Sequence, residues 1–208
     1  MKKIMLLIMA AAMFIATPAV AQNKALSKAL KKELSTKKKE LAKGGWEIFG
    51  TSRSLDVALL KHYEALEDGL TEWVGYGEGK SKNIVSTQAQ TNAANRYAQA
   101  SDSQIKGQIK TQMEGNSTDV TEEVDKFSAI YLTKVESEIK GALKHSYSVI
   151  RTNSQGVSEV RAYFLVNEPN AAKARKAAFE AACKEAGIST SIAVKISAII
   201  GEKVEAEE

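Results

Sequence analysis

WVGYGEGKS, residues 73–81, decides how this chain is to be folded. Read as a loop, its glycines and closing Gly-Lys-Ser point to a phosphate cradle. Read as a strand, they point to a sheet with one face cleared for a neighbour. A phosphate loop needs a glycine, four residues and then Gly-Lys-Ser/Thr, so that successive backbone N–H groups wrap the phosphates. With Gly79, Lys80 and Ser81 in place, the first glycine belongs at position 74, which is Val. The dinucleotide fingerprint fails in the same way: Gly75 and Gly77 fit, but its third glycine falls at Lys80. In both motifs the register is the mechanism, so neither nucleotide binding nor any other cofactor is expected. As a strand, 71–79 puts Trp73, Gly75, Gly77 and Gly79 on one face and Val74 and Tyr76 on the other. Three glycines on one face leave a flat strip that a helix backbone can approach closely.

Upstream, MKKIMLLIMAAAMFIATPAVA (1–21) has the layout of a secretory leader: Lys2 and Lys3, an apolar run, and Ala19-Val20-Ala21 at a cleavage site. The expectation is an exported chain of 187 residues starting at Gln22, with no Cys after the apolar run to accept a lipid and hence a soluble periplasmic protein. Without the leader, 27 basic face 25 acidic residues, a balance that does not point to nucleic acid. Cys183 is the only Cys, so no internal disulfide or Cys-based metal cluster can form within one chain.

Residues 22–43 read as a basic amphipathic helix, with Leu26, Leu30, Leu34 and Leu41 on a narrow stripe among lysines. Such a helix either lies solvated across the domain or makes weak contact with an anionic membrane surface, although it lacks the Trp or Phe usual in membrane arms. Gly44-Gly45 stops it, and 46–50 reads as a short strand. Ser54 caps a helix over 55–68 bearing His62. From Asn83 to Met113 an apolar row favours one long helix, although 105–113 also alternates as a strand. After a break at 115–118, Val120 to Leu143 marks a second long helix, expected to pack antiparallel to the first.

HSYSVIRT (145–152) and VSEVRAYFLV (157–166) flank Asn153-Ser154-Gln155-Gly156 and read as a hairpin. Thr152 opposite Val157 places Val149 against Val160, Ile150 against Glu159 and His145 against Phe164, giving one apolar and one polar face. Pro169 opens a helix that Gly187 closes, and a last helix is expected over 190–203. The fold class is α+β: one domain over 44–187 with a small, mostly antiparallel sheet, its helices on one face, followed by a helix and acidic tail over 188–208.

The pattern resembles the Lpp-twenty-like lipoprotein family, whose domain is similar to the N-terminal domain of flagellar assembly protein T. More closely, it resembles uncharacterised exported proteins of Gram-negative envelopes. The resemblance rests on GGWEIFGTSRSL with LLKHYEAL (44–66), GYGEGKS with AQTNAANRYA (75–98), and LKHSYSVIR with EVRAYFLV (143–166). It implies an envelope-associated α+β domain with no established activity and no catalytic residue to carry over. The chain departs from the lipoprotein members in lacking the lipidated Cys.

Chemistry-bearing residues are few. His62 and His145 read as packed or edge histidines rather than as members of a metal site or triad. Cys183 reads as a buried inert thiol in an Ala-rich helix. Glu122, Glu123 and Asp125 suit the start of a helix. Trp46, Phe49, Trp73 and Tyr76 either form core or line a groove that stacks sugars or other planar ligands. The leading expectation is therefore a non-enzymatic binding or assembly protein, with an envelope protein or a second copy as partner. The alternative is a small-ligand or glycan-binding domain built on those aromatics.

Overall fold

The computed structural model of the protein describes residues 19–112 and 118–187, together with positions 194, 197 and 198. Most of the expected leader, the expected break at 115–118 apart from Thr118, which already belongs to a helix, and nearly all of the helix expected over 190–203 lie outside the described residues. The elements are α1 (Ala19–Lys43), β1 (Glu47–Phe49), α2 (Leu55–Glu67), β2 (Thr71–Gly79), α3 (Lys82–Gln112), α4 (Thr118–Ile139), β3 (Lys144–Thr152), β4 (Ser158–Val166) and α5 (Glu168–Ala186). The four strands form one antiparallel sheet in the order β1-β3-β4-β2, an α+β fold. Residues 105–112 continue α3 as helix.

Local signals set the element ends. Ser54 accepts from the N–H of Val57 at the start of α2, and Asn167 accepts from that of Asn170 at the start of α5. Gly187 closes α5 in the left-handed conformation. Ile105, Ile109, Val124 and Phe127 share one core cluster, and Ser128 on α4 donates to Asp102 on α3. A contact between late α3 and early α4, across a short connection, makes that pair antiparallel.

The glycine strand does what the alternation predicts. Gly75, Gly77 and Gly79 pair with Ala162, Val160 and Ser158 inside the sheet. On their open face α3 runs antiparallel to β2. A Cβ on Gly75 would fall inside the carbonyl of Ala89, and one on Gly77 inside that of Val85. The spacing explains the pattern: two strand residues advance about 6.6 Å and four helix residues about 6 Å. Glycines at every second strand position therefore meet Val85, Ala89 and Ala93, one helical turn apart.

Two expectations are corrected. Helices cover both faces of the sheet, not one. Ile150, Val160, Ala162, Phe164 and Val166 pack with α3, α4 and α5, whereas Tyr147, Val149 and Tyr163 pack with Leu41 of α1 and with Ala58 and Leu59 of α2. The hairpin register is also one residue away from that expected: Ile150 faces Val160, Val149 faces Arg161, and Thr152 faces Ser158. Val157 belongs to the turn, because Asn153 N–H donates to its carbonyl while Asn153 Oδ1 accepts from the N–H groups of Gln155 and Val157. Ser146 then bulges between His145 and Tyr147, which restores the expected pairing of His145 with Phe164.

Candidate functional site

The strand that carries the glycines is also an edge of the sheet. In an antiparallel ladder, alternate residues turn both backbone groups to the same side. On β2 the outward set is Glu72, Val74, Tyr76 and Glu78, because the Val74 carbonyl accepts from Arg96 at 2.8 Å and the Tyr76 N–H donates to Asn92 Oδ1 at 3.1 Å. Both partners come from α3, whose residues 84, 88, 92 and 96 form one ridge along that edge. Arg96 reaches round the edge until its guanidinium lies 5.2 Å from the centre of the Tyr76 ring. Side chains thus occupy two rungs of the edge as a neighbouring strand would. At the next rung, level with Gln88, Glu78 carries no such strap among the described hydrogen bonds.

Here the surface opens into a groove of about 650 Å³ between Tyr76–Glu78 and the first half of α3. Its helical wall is the ridge Asn83, Thr87, Thr91, Asn95 beside Ile84, Gln88 and Asn92. Amides and hydroxyls dominate, and Glu78 is the only carboxylate or cation in the lining. Tyr76 and Ile84 on its rim are 49 % and 61 % exposed.

The four aromatics expected to share a groove separate into two pairs. Phe49 and Trp73 turn to the α3 face and pack against the main core, with Trp73 meeting Tyr97 edge-on at 5.0 Å. Trp46 and Tyr76 lie on the opposite face, beside a second hollow of about 210 Å³ lined also by Glu78, Glu159 and Arg161. Trp46 is only 7 % exposed. The guanidiniums of Arg151 and Arg161 sit 4.6 and 4.3 Å from its ring centre. Its stacking surface is therefore taken by the protein's own cations.

His62 is more than a packed histidine. It is buried, with Nε2 2.7 Å from Glu72 Oε2 and Nδ1 3.0 Å from Ser146 Oγ. A carboxylate accepts, which sets Nε2–H as the donor to Glu72, and the second ring nitrogen shares its hydrogen bond with the Ser146 hydroxyl. Tyr63, Tyr147 and Tyr163 meet the ring edge-on. The bulge at Ser146 aims its hydroxyl at α2, so a helix is fastened to two strands. A serine, a histidine and a carboxylate in this order also form the relay of acyl-transfer sites. Neither hollow described above, nor a third of about 530 Å³ between α1 and α2, includes any of the three residues in its wall.

His145 instead turns to the other face, where Nε2 lies 2.7 Å from Ser148 Oγ and the ring meets Phe164 edge-on. Burial holds its pKa below the ordinary value. Burial, with Glu180 beside it, pushes the Cys183 thiol up to about 11. Among the described residues no group of His, Cys, Asp and Glu is placed to hold a metal ion, and no helix is long and apolar enough to cross a membrane.

Compared with known proteins, the chain matches no family model, no curated protein and no solved structure. The groove residues on α3 escaped the sequence reading, yet a signal was present. Positions 83–95 carry no charged residue in a chain that is 26 % charged, and a solvent-facing helix is ordinarily charged on its outer face.

Proposed function

We propose that the protein is exported to the periplasm of a Gram-negative envelope and acts there as a non-enzymatic binding or assembly protein. The single observation that carries this reading is the open, amide-lined groove along the free edge of the sheet. It is concave, chiefly uncharged and rimmed by exposed apolar side chains, the features of a surface made for contact. The histidines support the same reading, because His62 fastens α2 to two strands and His145 is hydrogen-bonded within β3 against Phe164. Export rests on the leader-like residues 1–21 and on the family resemblance.

The test is a photo-crosslinking amino acid placed at Thr91 in the groove and, separately, at Lys176 on the exposed face of α5, each expressed in the native host. A discrete adduct from Thr91 alone, with the protein released by osmotic shock, is the expected result. No adduct from Thr91 sinks the contact reading, and retention in the cytoplasm sinks the localisation.

A second contact is favoured by one observation: α1 carries eight lysines against two glutamates over 19–43. Its leucine stripe is only half-buried at Leu30 and Leu34. Basic amphipathic helices are drawn to anionic bilayers. Co-sedimentation with phosphatidylglycerol vesicles at low salt, lost at high salt, is the expected behaviour; equal sedimentation with neutral vesicles contradicts it.

A further inference from the structure

We propose that the groove receives an extended peptide segment as an added strand on β2, neutral to basic in charge. This inference rests on the binding reading above and names the occupant of the same site. An edge strand presents backbone donors and acceptors that either another strand or a covering group satisfies. Here α3 covers two rungs with side chains in strand-like positions: Arg96 on the Val74 carbonyl and Asn92 on the Tyr76 N–H. The matched rise of helix and strand puts Gln88 at the third rung, where the outward N–H and C=O of Glu78 face the groove.

A peptide entering from that end pairs with Glu78 and with the Tyr76 carbonyl, and stops where Asn92 begins. Its far backbone edge meets Asn83, Thr87 and Thr91, whose amide and hydroxyls both donate and accept. From position 83 to 91 this ridge advances about 12 Å, the length of about three to four strand residues. Main-chain bonds then supply affinity, and alternate side chains supply specificity. Exposed Tyr76 and Ile84 suit apolar side chains, and Glu78 suits a lysine or arginine.

The experiment is selection of a random twelve-residue displayed peptide library on the immobilised protein, followed by solution affinity of the most enriched peptide. Three forms are compared: the parent, Glu78→Pro and Glu78→Gln. Proline at an outward edge position removes one N–H without touching the ladder to β4, whereas Gln keeps the backbone and removes only the charge. Expected are peptides with alternating apolar residues and at least one basic residue. Glu78→Pro should weaken binding at least tenfold and Glu78→Gln less than that, with slowed hydrogen exchange of the parent's Glu78 amide in the complex. Failure of any peptide to enrich overturns the proposal, as does equal binding by Glu78→Pro or an unprotected Glu78 amide. Should Glu78→Pro not fold, exchange at Glu78 in the parent decides alone. A Thr91 adduct in the host without peptide enrichment removes strand addition and keeps the contact role. Peptide binding without that adduct does the reverse.

Discussion

Gly77 lies against the carbonyl of Val85 with no room for a side chain between strand and helix. This contact joins β2 to α3 and answers the question raised by the glycine-rich stretch. The glycines clear a path for main chain, and their amides belong to the ladder with β4.

Gly77→Val is therefore expected to destabilise the protein by about 1–3 kcal/mol through overpacking. Gly75→Ala should do so comparably, since a single methyl already collides with Ala89. Denaturant melts measure both. The parent's melting temperature should not move with ATP, and an ATP-dependent rise would contradict the strand reading.

The pH response of His145 has a definite sign. Its folded pKa is lowered by burial from the ordinary 6.5. Only the unfolded chain binds its proton as pH falls below that value, so stability is full above about 6.5 and declines toward the lower folded pKa. His145→Gln should show a smaller loss between pH 7 and pH 5 than the parent in urea titrations. An identical loss would show that His145 is not responsible.

Two tyrosines in the helical layer should respond oppositely to loss of their hydroxyls. Tyr131 Oη is buried with no hydrogen-bond partner among the described residues, and burial raises its pKa. Tyr131→Phe should leave the melting temperature unchanged or raise it. Tyr97 Oη accepts from Arg175, which also donates to Glu168. Tyr97→Phe should cost about 1.5–3 kcal/mol, the range for a bond to a charged group. Equal effects would contradict the assignment.

Cys183 should be slow to alkylate. With its thiol at about 11, iodoacetamide at pH 7.5 should label the folded protein far more slowly than the urea-unfolded chain. The folded rate should climb with pH well beyond the range of a free thiol. Equal rates would place the sulfur in open solvent.

His62 shows where sequence reading runs out. Its place on an apolar helix stripe was legible, and so was its burial. Its partners were not, because Glu72 and Ser146 reach it through a strand neighbour and a bulge on separate elements. The groove divides likewise: β2 and the uncharged stretch 83–95 can both be read in the chain, but their juxtaposition cannot. The expected aromatic groove fails on an alternation that the sequence already carried, since Trp73 and Tyr76 fall on opposite faces of β2; Trp46, just ahead of β1, joins the face of Tyr76 and Phe49 that of Trp73.

The sequence by itself determined the elements and most of their limits, because caps, turn residues and hydrophobic period act over one or two turns of chain. It also determined that β2 and α3 could approach, since alternate glycines and small residues one turn apart share a rise. The hairpin register is local too, set by Asn153 drawing Val157 into the turn, a side-chain contact that residue pairing across the strands does not reveal. Tertiary structure alone decided the covering of the second sheet face and the identity of the open edge. Both depend on where distant segments meet: Leu41 and Leu59 laid over Tyr147 and Tyr163, and β1 pairing with β3 so that β2 is left outermost.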